Sequence, residues 1–219
     1  MERFASKLGD MILTVTVRDL VFVSWEVSAE QLAGHLPEGL EPELADGRGL
    51  VTLSFARATA CRLGRIRVPR FTKLTVHTYV TGAHGPGLCF LESRVSRSAY
   101  GRRLVGIPFA TTRLRARPGL AEAPELGASV RYRADCETPG PRLGATTVGH
   151  HEAAYFESAV LLRLVARHAP IRWRRAQLLE PPRFEPVRAL FDAGEPSSLL
   201  YADRVLFRAE LPPSLVERR

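Results

Sequence analysis

Between residues 11 and 17 the apolar side chains of Leu13, Val15 and Val17 alternate with Thr14 and Thr16, and a second β-rich run follows from Leu20 to Trp25. A period of two puts successive side chains on opposite faces, so the pattern predicts two strands flanking Arg18-Asp19. Ser28 stands three residues before Gln31, the spacing of a capping box, which predicts a short helix ending before Pro37. Further strands are predicted over 50–60, 71–80, 88–97, 110–117, 130–136, 171–179 and 201–212, with turns such as Gly82-Ala83-His84-Gly85-Pro86-Gly87 between them. The segment 152–167 has apolar residues at Phe156, Val160, Leu161, Leu164 and Val165, which suits a helix, with a strand over Leu161 to Val165 as the alternative. Residues 185–191 read as a short helix after Pro181-Pro182, and 138–149, rich in Gly, Pro and Thr, as an exposed connection.

Two stretches carry chemistry. In the strand from Phe71, alternation gathers Lys73, Thr75, His77 and Tyr79 on one face and leaves Leu74, Val76, Thr78 and Val80 on the other. In the strand at 88–97 the same rule groups Phe90, Glu92, Arg94 and Ser96. Between that strand and the next lies Gly101-Arg102-Arg103-Leu104-Val105-Gly106-Ile107-Pro108-Phe109-Ala110, where Gly106 and Pro108 force an irregular backbone. Such a corner can push side chains into an enclosed space.

The motif Gly-Arg-x-Leu-x-Gly-x-Pro in this corner resembles the segment of acetoacetate decarboxylases in which a pair of lysines follows the proline. Arg18-Asp19, the strand to Trp25, the helix holding Leu32 and then Leu36-Pro37-Glu38-Gly39-Leu40 follow the decarboxylase order Arg-Glu-Tyr, strand, short helix, hydrophobic-Pro-Glu-x-Leu. Leu74-Thr75-Val76-His77-Thr78-Tyr79-Val80 is similar to the Leu-Asn-Val-Arg-Thr-Tyr-Val strand of the uncharacterised YqjF-like proteins of the same superfamily, and Tyr201 to Pro212 fits their last strand. The resemblance is clearest from 11 to 117 and loosest from 120 to 175. It implies a mainly β (α+β) fold, a curved antiparallel β-barrel with a few short helices, enclosing one small-molecule cavity. Its ligands would bear a carbonyl and a carboxylate. In the decarboxylases the first lysine of the pair forms the Schiff base with the ketone; here Phe109 and Ala110 occupy the pair. Imine chemistry at the usual position is therefore not expected.

Composition narrows the alternatives. With 219 residues, 45% of them hydrophobic, the chain can bury a substantial core, and the absence of any internal repeat or long linker predicts a single domain over residues 1–219. No apolar run reaches the roughly 18 residues of a spanning helix, and the N-terminus lacks the pattern of a signal peptide. Cys61, Cys89 and Cys136 are odd in number and widely spaced, which fits a reducing cytoplasm better than a disulfide framework or structural zinc. The net charge of +8 raises nucleic acid as a partner, but the arginines are scattered and no nucleic-acid motif accompanies them, so none is expected. His150-His151-Glu152 lacks a third ligand at suitable spacing, so no metal is expected; no phosphate loop or Gly-x-Ser-x-Gly elbow occurs, and no cofactor is expected either. Cys89, beside Phe90 in a strand, reads as a packed thiol.

By the resemblance, Arg18 matches the decarboxylase arginine and is the candidate for bidentate carboxylate capture, against a salt bridge with Asp19 or Glu92. His77, Tyr79 and Glu92 are the candidate proton-transfer groups, and Arg18, Lys73 and Phe109 the candidate substrate-binding ones. Lys73 replaces a glutamate of both patterns; it reads either as a displaced amine made nucleophilic by burial or as a lysine snorkelling from a strand end. The expected function is a lyase- or cyclase-type enzyme acting on a carbonyl- and carboxylate-bearing molecule. The alternative is a non-catalytic binding barrel, a sensor or carrier. The partner in either case is a small molecule, with self-association left open.

Overall fold

The computed structural model describes residues 11–97, 109–137, 142–143, 146–147, 151–157 and 160–216. In chain order the strands are β1 (Met11–Ser28), β2 (Leu40–Pro42), β3 (Arg48–Leu63), β4 (Ile66–Val68), β5 (Phe71–Gly82), β6 (Gly85–Val95), β7 (Ala110–Thr111), β8 (Arg115–Arg117) and β9 (Leu120–Ala123). The second half adds β10 (Ala128–Glu137), β11 (Arg142–Leu143), β12 (Thr146–Thr147), β13 (Ala153–Glu157), β14 (Leu161–His168), β15 (Arg174–Leu178), β16 (Arg183–Phe184), β17 (Ser198–Leu211) and β18 (Ser214–Leu215). Two short helices accompany them, α1 (Ala29–Ala33) and α2 (Glu185–Arg188). The predicted capping box opens α1: the Gln31 N–H donates to Ser28 Oγ at 3.2 Å, and the Ser28 N–H donates to Gln31 Oε1 at 3.2 Å.

Strands β14, β13, β6, β5, β3, β1 and β17 lie side by side in that order, and β14 also pairs with β17, closing the ring into a barrel. The expected barrel is thus present, antiparallel except where β13 runs parallel to β6. Gly87 permits that join, since a Cβ there would stand 2.8 Å from the Tyr155 ring and 2.9 Å from the Ala153 carbonyl. A second sheet of β15, β10, β9 and β8 branches from β17 at Leu200 and Tyr201. It covers the outer faces of β1, β3 and β5, where Val23, Trp25, Leu53, Phe55 and Val76 meet Val130, Tyr132 and Phe184 in a continuous core. Trp25 anchors it, edge-on to Phe184 with ring centroids 4.5 Å apart and with its indole N–H on the Gly194 carbonyl at 3.1 Å.

The long strands serve both the barrel and the outer core because bulges change which residues point inward. On β1, Val15 and Val17 face the barrel interior, the register shifts between Arg18 and Val21, and beyond it Leu20 and Phe22 face inward instead. Asp19 sits in that shift with a left-handed φ of 52° and is buried. Its carboxylate is held by Arg57, with Nε at 2.8 Å and Nη2 at 2.5 Å, and accepts from the Tyr201 hydroxyl at 3.3 Å. On β3 the extra residue is Thr59, between the pairs Val17 with Ala58 and Thr16 with Ala60.

Two expectations are corrected. Residues 153–157 and 161–168 form the antiparallel pair β13 and β14, the strand alternative for the second stretch, and not a helix. Ala153, Ala154, Tyr155 and Phe156 are all buried, so β13 is covered on both faces and shows no alternation that would separate it from a helix. The strand expected over 110–117 breaks in two because the Glu125 carboxylate takes the Thr112 hydroxyl at 2.6 Å and the Arg113 N–H at 3.1 Å.

The Asp19 corner gives a direct test. Asp19→Ala should cost about 2–5 kcal/mol, combining about 1–2 for a left-handed Cβ residue with about 1–3 for buried partners left unpaired. Asp19→Asn tolerates the same φ and can still accept from Tyr201, so it should lose less than half as much. Urea midpoints for the two variants decide the matter; equal losses would mean that the charge alone holds the corner.

Candidate functional site

Inside the barrel lies a cavity of about 510 Å³ with a mostly apolar wall. The uninterrupted alternation of β5 delivers Lys73, Thr75 and His77 to it, as the sequence pattern predicts. Phe109 also lines it, next to the Lys73 amine. Ser54 and Thr75 satisfy each other, with their hydroxyls 2.6 Å apart.

Lys73 has no neighbouring anion among the described residues; its Nζ stands 4.1 Å from the Phe90 ring centroid and 5.4 Å from that of Phe109. Burial therefore disfavours the ammonium and pulls the pKa from 10.5 down to about 8. Lys73 lines the cavity with its ammonium over the Phe90 ring, so the side chain turns into the barrel instead of snorkelling outward. His77 is 1% exposed, and among the described residues neither ring nitrogen has a hydrogen-bond partner. Its ring is packed edge-on against Phe22 at 5.3 Å and Tyr79 at 5.6 Å. Burial first, then the Lys73 ammonium, then His151, lower its pKa from 6.5 to about 3. His77 is thus neutral at neutral pH, which differs from the near-neutral titration expected of it.

Tyr79 lies on the same side of β5 but is embedded in the wall. Its hydroxyl shares a hydrogen bond with Thr52 at 3.2 Å, Thr52 is linked to Ser24 at 2.9 Å, and burial pushes the phenol pKa up. Arg18 is exposed at the β1 corner and does not line the cavity; Asp19, its suggested partner, is taken by Arg57. Glu92 is not brought to the cavity either. A register shift on the β5–β6 ladder leaves Leu91 unmatched, so Phe90 opposes His77 and faces inward, whereas Glu92 opposes Val76, a residue of the outer core. The Glu92 carboxylate instead pairs with Arg94 at 2.7 Å. The expected common face of Phe90 and Glu92 is corrected by this bulge.

Three residues enter the site without having been singled out for it. His151 lines the cavity with a fully buried side chain, its Nε2 2.7 Å from the Glu43 carboxylate and its Nδ1 without a hydrogen-bond partner among the described residues. Glu43 is itself fixed, since its N–H donates to the Tyr79 carbonyl at 2.9 Å. Arg97 lines the cavity while remaining exposed, which puts a guanidinium where the cavity meets solvent. Cys61 also lines the wall, but burial raises its thiol to about 11; Cys89, raised to about 12 by burial and then Glu157, is equally inert. Of the Gly101–Ala110 corner only Phe109 and Ala110 belong to the described residues, and His150 also lies outside them. Among the described residues no group of three or more potential metal ligands is brought together.

The barrel is that of known enzymes. The acetoacetate decarboxylase of Legionella pneumophila is 12% identical, with a TM-score of 0.63 and coverage of 93% of this chain and 87% of that one. An acetoacetate decarboxylase-like enzyme from Sphingomonas wittichii is 14% identical, TM-score 0.60, covering 97% and 96%. The enduracididine biosynthesis enzyme MppR, solved with pyruvate, is 14% identical, TM-score 0.60, covering 96% and 91%. At these identities the likeness is one of fold. No curated protein matches the sequence. The family model DUF2071, described as an uncharacterised conserved protein, matches residues 14–205.

The low pKa of His77 makes a stability prediction. The folded ring titrates near 3 and the unfolded one near 6.5, so in between the unfolded chain binds more protons. The contribution of His77 is complete above 6.5 and is lost as pH falls towards 3. From pH 7 to pH 5 the loss should be about 2 kcal/mol. In urea unfolding, His77→Phe should abolish that part of the slope; a slope unchanged by the substitution would show that the ring charges freely in the fold.

Proposed function

The chain belongs to the DUF2071 family of uncharacterised conserved proteins, and we propose that it is a small-molecule enzyme of lyase type in which the Lys73 amine attacks a substrate carbonyl inside the barrel. The observation that carries this reading is the position of Lys73: a buried amine with its pKa drawn to about 8, on the cavity wall beside Phe109, the residue standing where the resemblance places the decarboxylase lysine. At neutral pH an appreciable fraction of such an amine is unprotonated, unlike an exposed lysine.

The chemistry follows from that amine. Its lone pair forms an N–C bond to the carbonyl carbon, and the oxygen, gaining protons, leaves as water to give a protonated imine. The positive nitrogen then accepts the electron pair of a neighbouring C–C or C–H bond as that bond breaks. A mostly apolar cavity favours dehydration and strengthens the field of the iminium on the reacting bond. His77, neutral and unpartnered, is available to hydrogen-bond substrate oxygen. With Arg18 outside the cavity, Arg97 is the guanidinium suited to a substrate carboxylate at the open side. The neighbour MppR is known with pyruvate and with the condensation product of pyruvate and imidazole 4-carboxaldehyde, which supports keto acids as the first probes.

Incubation with pyruvate or acetoacetate and borohydride should raise the protein mass by one reduced adduct, mapped to Lys73, and Lys73→Met should remove it. Because the amine titrates near 8, the trapping rate should rise through a midpoint at about that pH instead of near 10.5. Binding of keto acids with no adduct at any pH would instead identify a sensor or carrier.

A further inference from the structure

The chemistry proposed for Lys73 requires a group that can take a proton from the carbon next to the imine, and His77 is poorly suited to it. Its ring is packed against aromatic side chains, and among the described residues no carboxylate is hydrogen-bonded to it to support an imidazolium. His151 differs on both points. Its Nε2 lies 2.7 Å from Glu43 Oε2, the geometry of an imidazole N–H donating to a carboxylate. That bond fixes the tautomer: the hydrogen is on Nε2 and the lone pair on Nδ1. Nδ1 is buried and has no hydrogen-bond partner among the described residues, and His151 lines the cavity that contains Lys73. A buried acceptor left unpaired costs about 1–3 kcal/mol, a cost that a bound molecule with a proton to share would relieve.

We propose that His151, held by Glu43, is the proton-transfer base of the barrel, acting on the carbon adjacent to a carbonyl captured by Lys73. The proposal rests on the reading of Lys73 as the imine-forming amine. In the step, Nδ1 takes the proton, the C–H electron pair becomes a C=C bond, and the imine π pair moves onto nitrogen to leave a neutral enamine. The imidazolium so formed is stabilised by the Glu43 carboxylate across the other ring nitrogen. No oxidant or further reactant is needed. Glu43 is a positioning residue: it does not line the cavity, and its carboxylate meets His151 Nε2. The substrate class narrows with it, to carbonyl compounds bearing at least one α-hydrogen. The enamine is itself a carbon nucleophile, so such an enzyme could add a second carbonyl compound as well as release a fragment.

The experiment uses pyruvate in D2O with the full chain, following loss of the methyl proton signal by NMR and, in parallel, borohydride trapping. The parent should trap and exchange, and Lys73→Met should do neither. His151→Gln retains a nitrogen where Nε2 was, able to donate to Glu43, but has no counterpart to Nδ1. Its trapped adduct should still form while deuterium incorporation falls by roughly 100-fold or more, the usual scale of a general base. Glu43→Gln should lower exchange by roughly 10-fold or more and remove a strongly downfield imidazole N–H resonance present in the parent. Exchange at the parental rate in His151→Gln overturns the assignment of the base and leaves Lys73 untouched. Unaltered exchange and N–H spectrum in Glu43→Gln do the same, even if the His151 variant fails to fold. A parent that neither traps nor exchanges overturns the Lys73 reading and this proposal together.

Discussion

The structure depends on a steric rule, that consecutive residues of a strand face opposite ways, and on where the chain breaks it. A strand of the length of β1 could not otherwise line a barrel at one end and support a second sheet at the other. The register shift at Asp19 converts Val15 and Val17 facing inward into Leu20 and Phe22 facing inward, which frees Val21, Val23 and Trp25 for the outer core. On β17 the change occurs in step, with Val205 and Phe207 inward on one side of Asp203-Arg204 and Ala202 and Leu200 on the other. Tyr201 consequently reaches the outer core and places its hydroxyl on Asp19. The ion pair of Asp19 with Arg57 is thus local in contact but wide in effect, since it fixes the point at which two strands exchange faces.

The same geometry governs the electrostatics of the site. β5 has no extra residue, so Lys73 and His77 are delivered to the same side of one strand and into a mostly apolar space. Neither has a counter-ion among the described residues, and each charge would disfavour the other. Proton occupancy therefore goes to one of them at most near neutral pH: Lys73 titrates near 8 and His77 stays neutral down to about 3. Conversion of the amine to a neutral enamine would remove the second-largest influence on His77.

Much of this was legible in the chain, and the failures share a cause. The alternation around Lys73, Thr75 and His77 was readable because β5 is regular and has chemically different faces. Glu92 was misplaced because the rule that works on β5 was extended across Leu91, where nothing in the local sequence announces an extra residue. Arg18 was placed by family resemblance, yet the corner that carries it turns its side chain outward. His151 was noticed only as part of an unpromising metal set, and its position was hidden by the helical reading of 152–167. Its partner Glu43 lies 108 residues away in sequence, and only barrel closure brings the two together.

The presence of an aromatic ring at Phe109 is also easier to understand from the cavity that it lines. An amine at Phe109 would add a second cation next to Lys73, whose Nζ already lies 5.4 Å from the Phe109 ring. Two ammonium groups at such a separation would repel, and in a mostly apolar cavity the repulsion is poorly screened. With an aromatic ring there instead, the Lys73 cation gains a weak attraction to two π faces, Phe90 and Phe109, while burial holds its pKa down at about 8. Among the described residues the cavity wall thus carries a single amine, Lys73, and it stands on a regular strand.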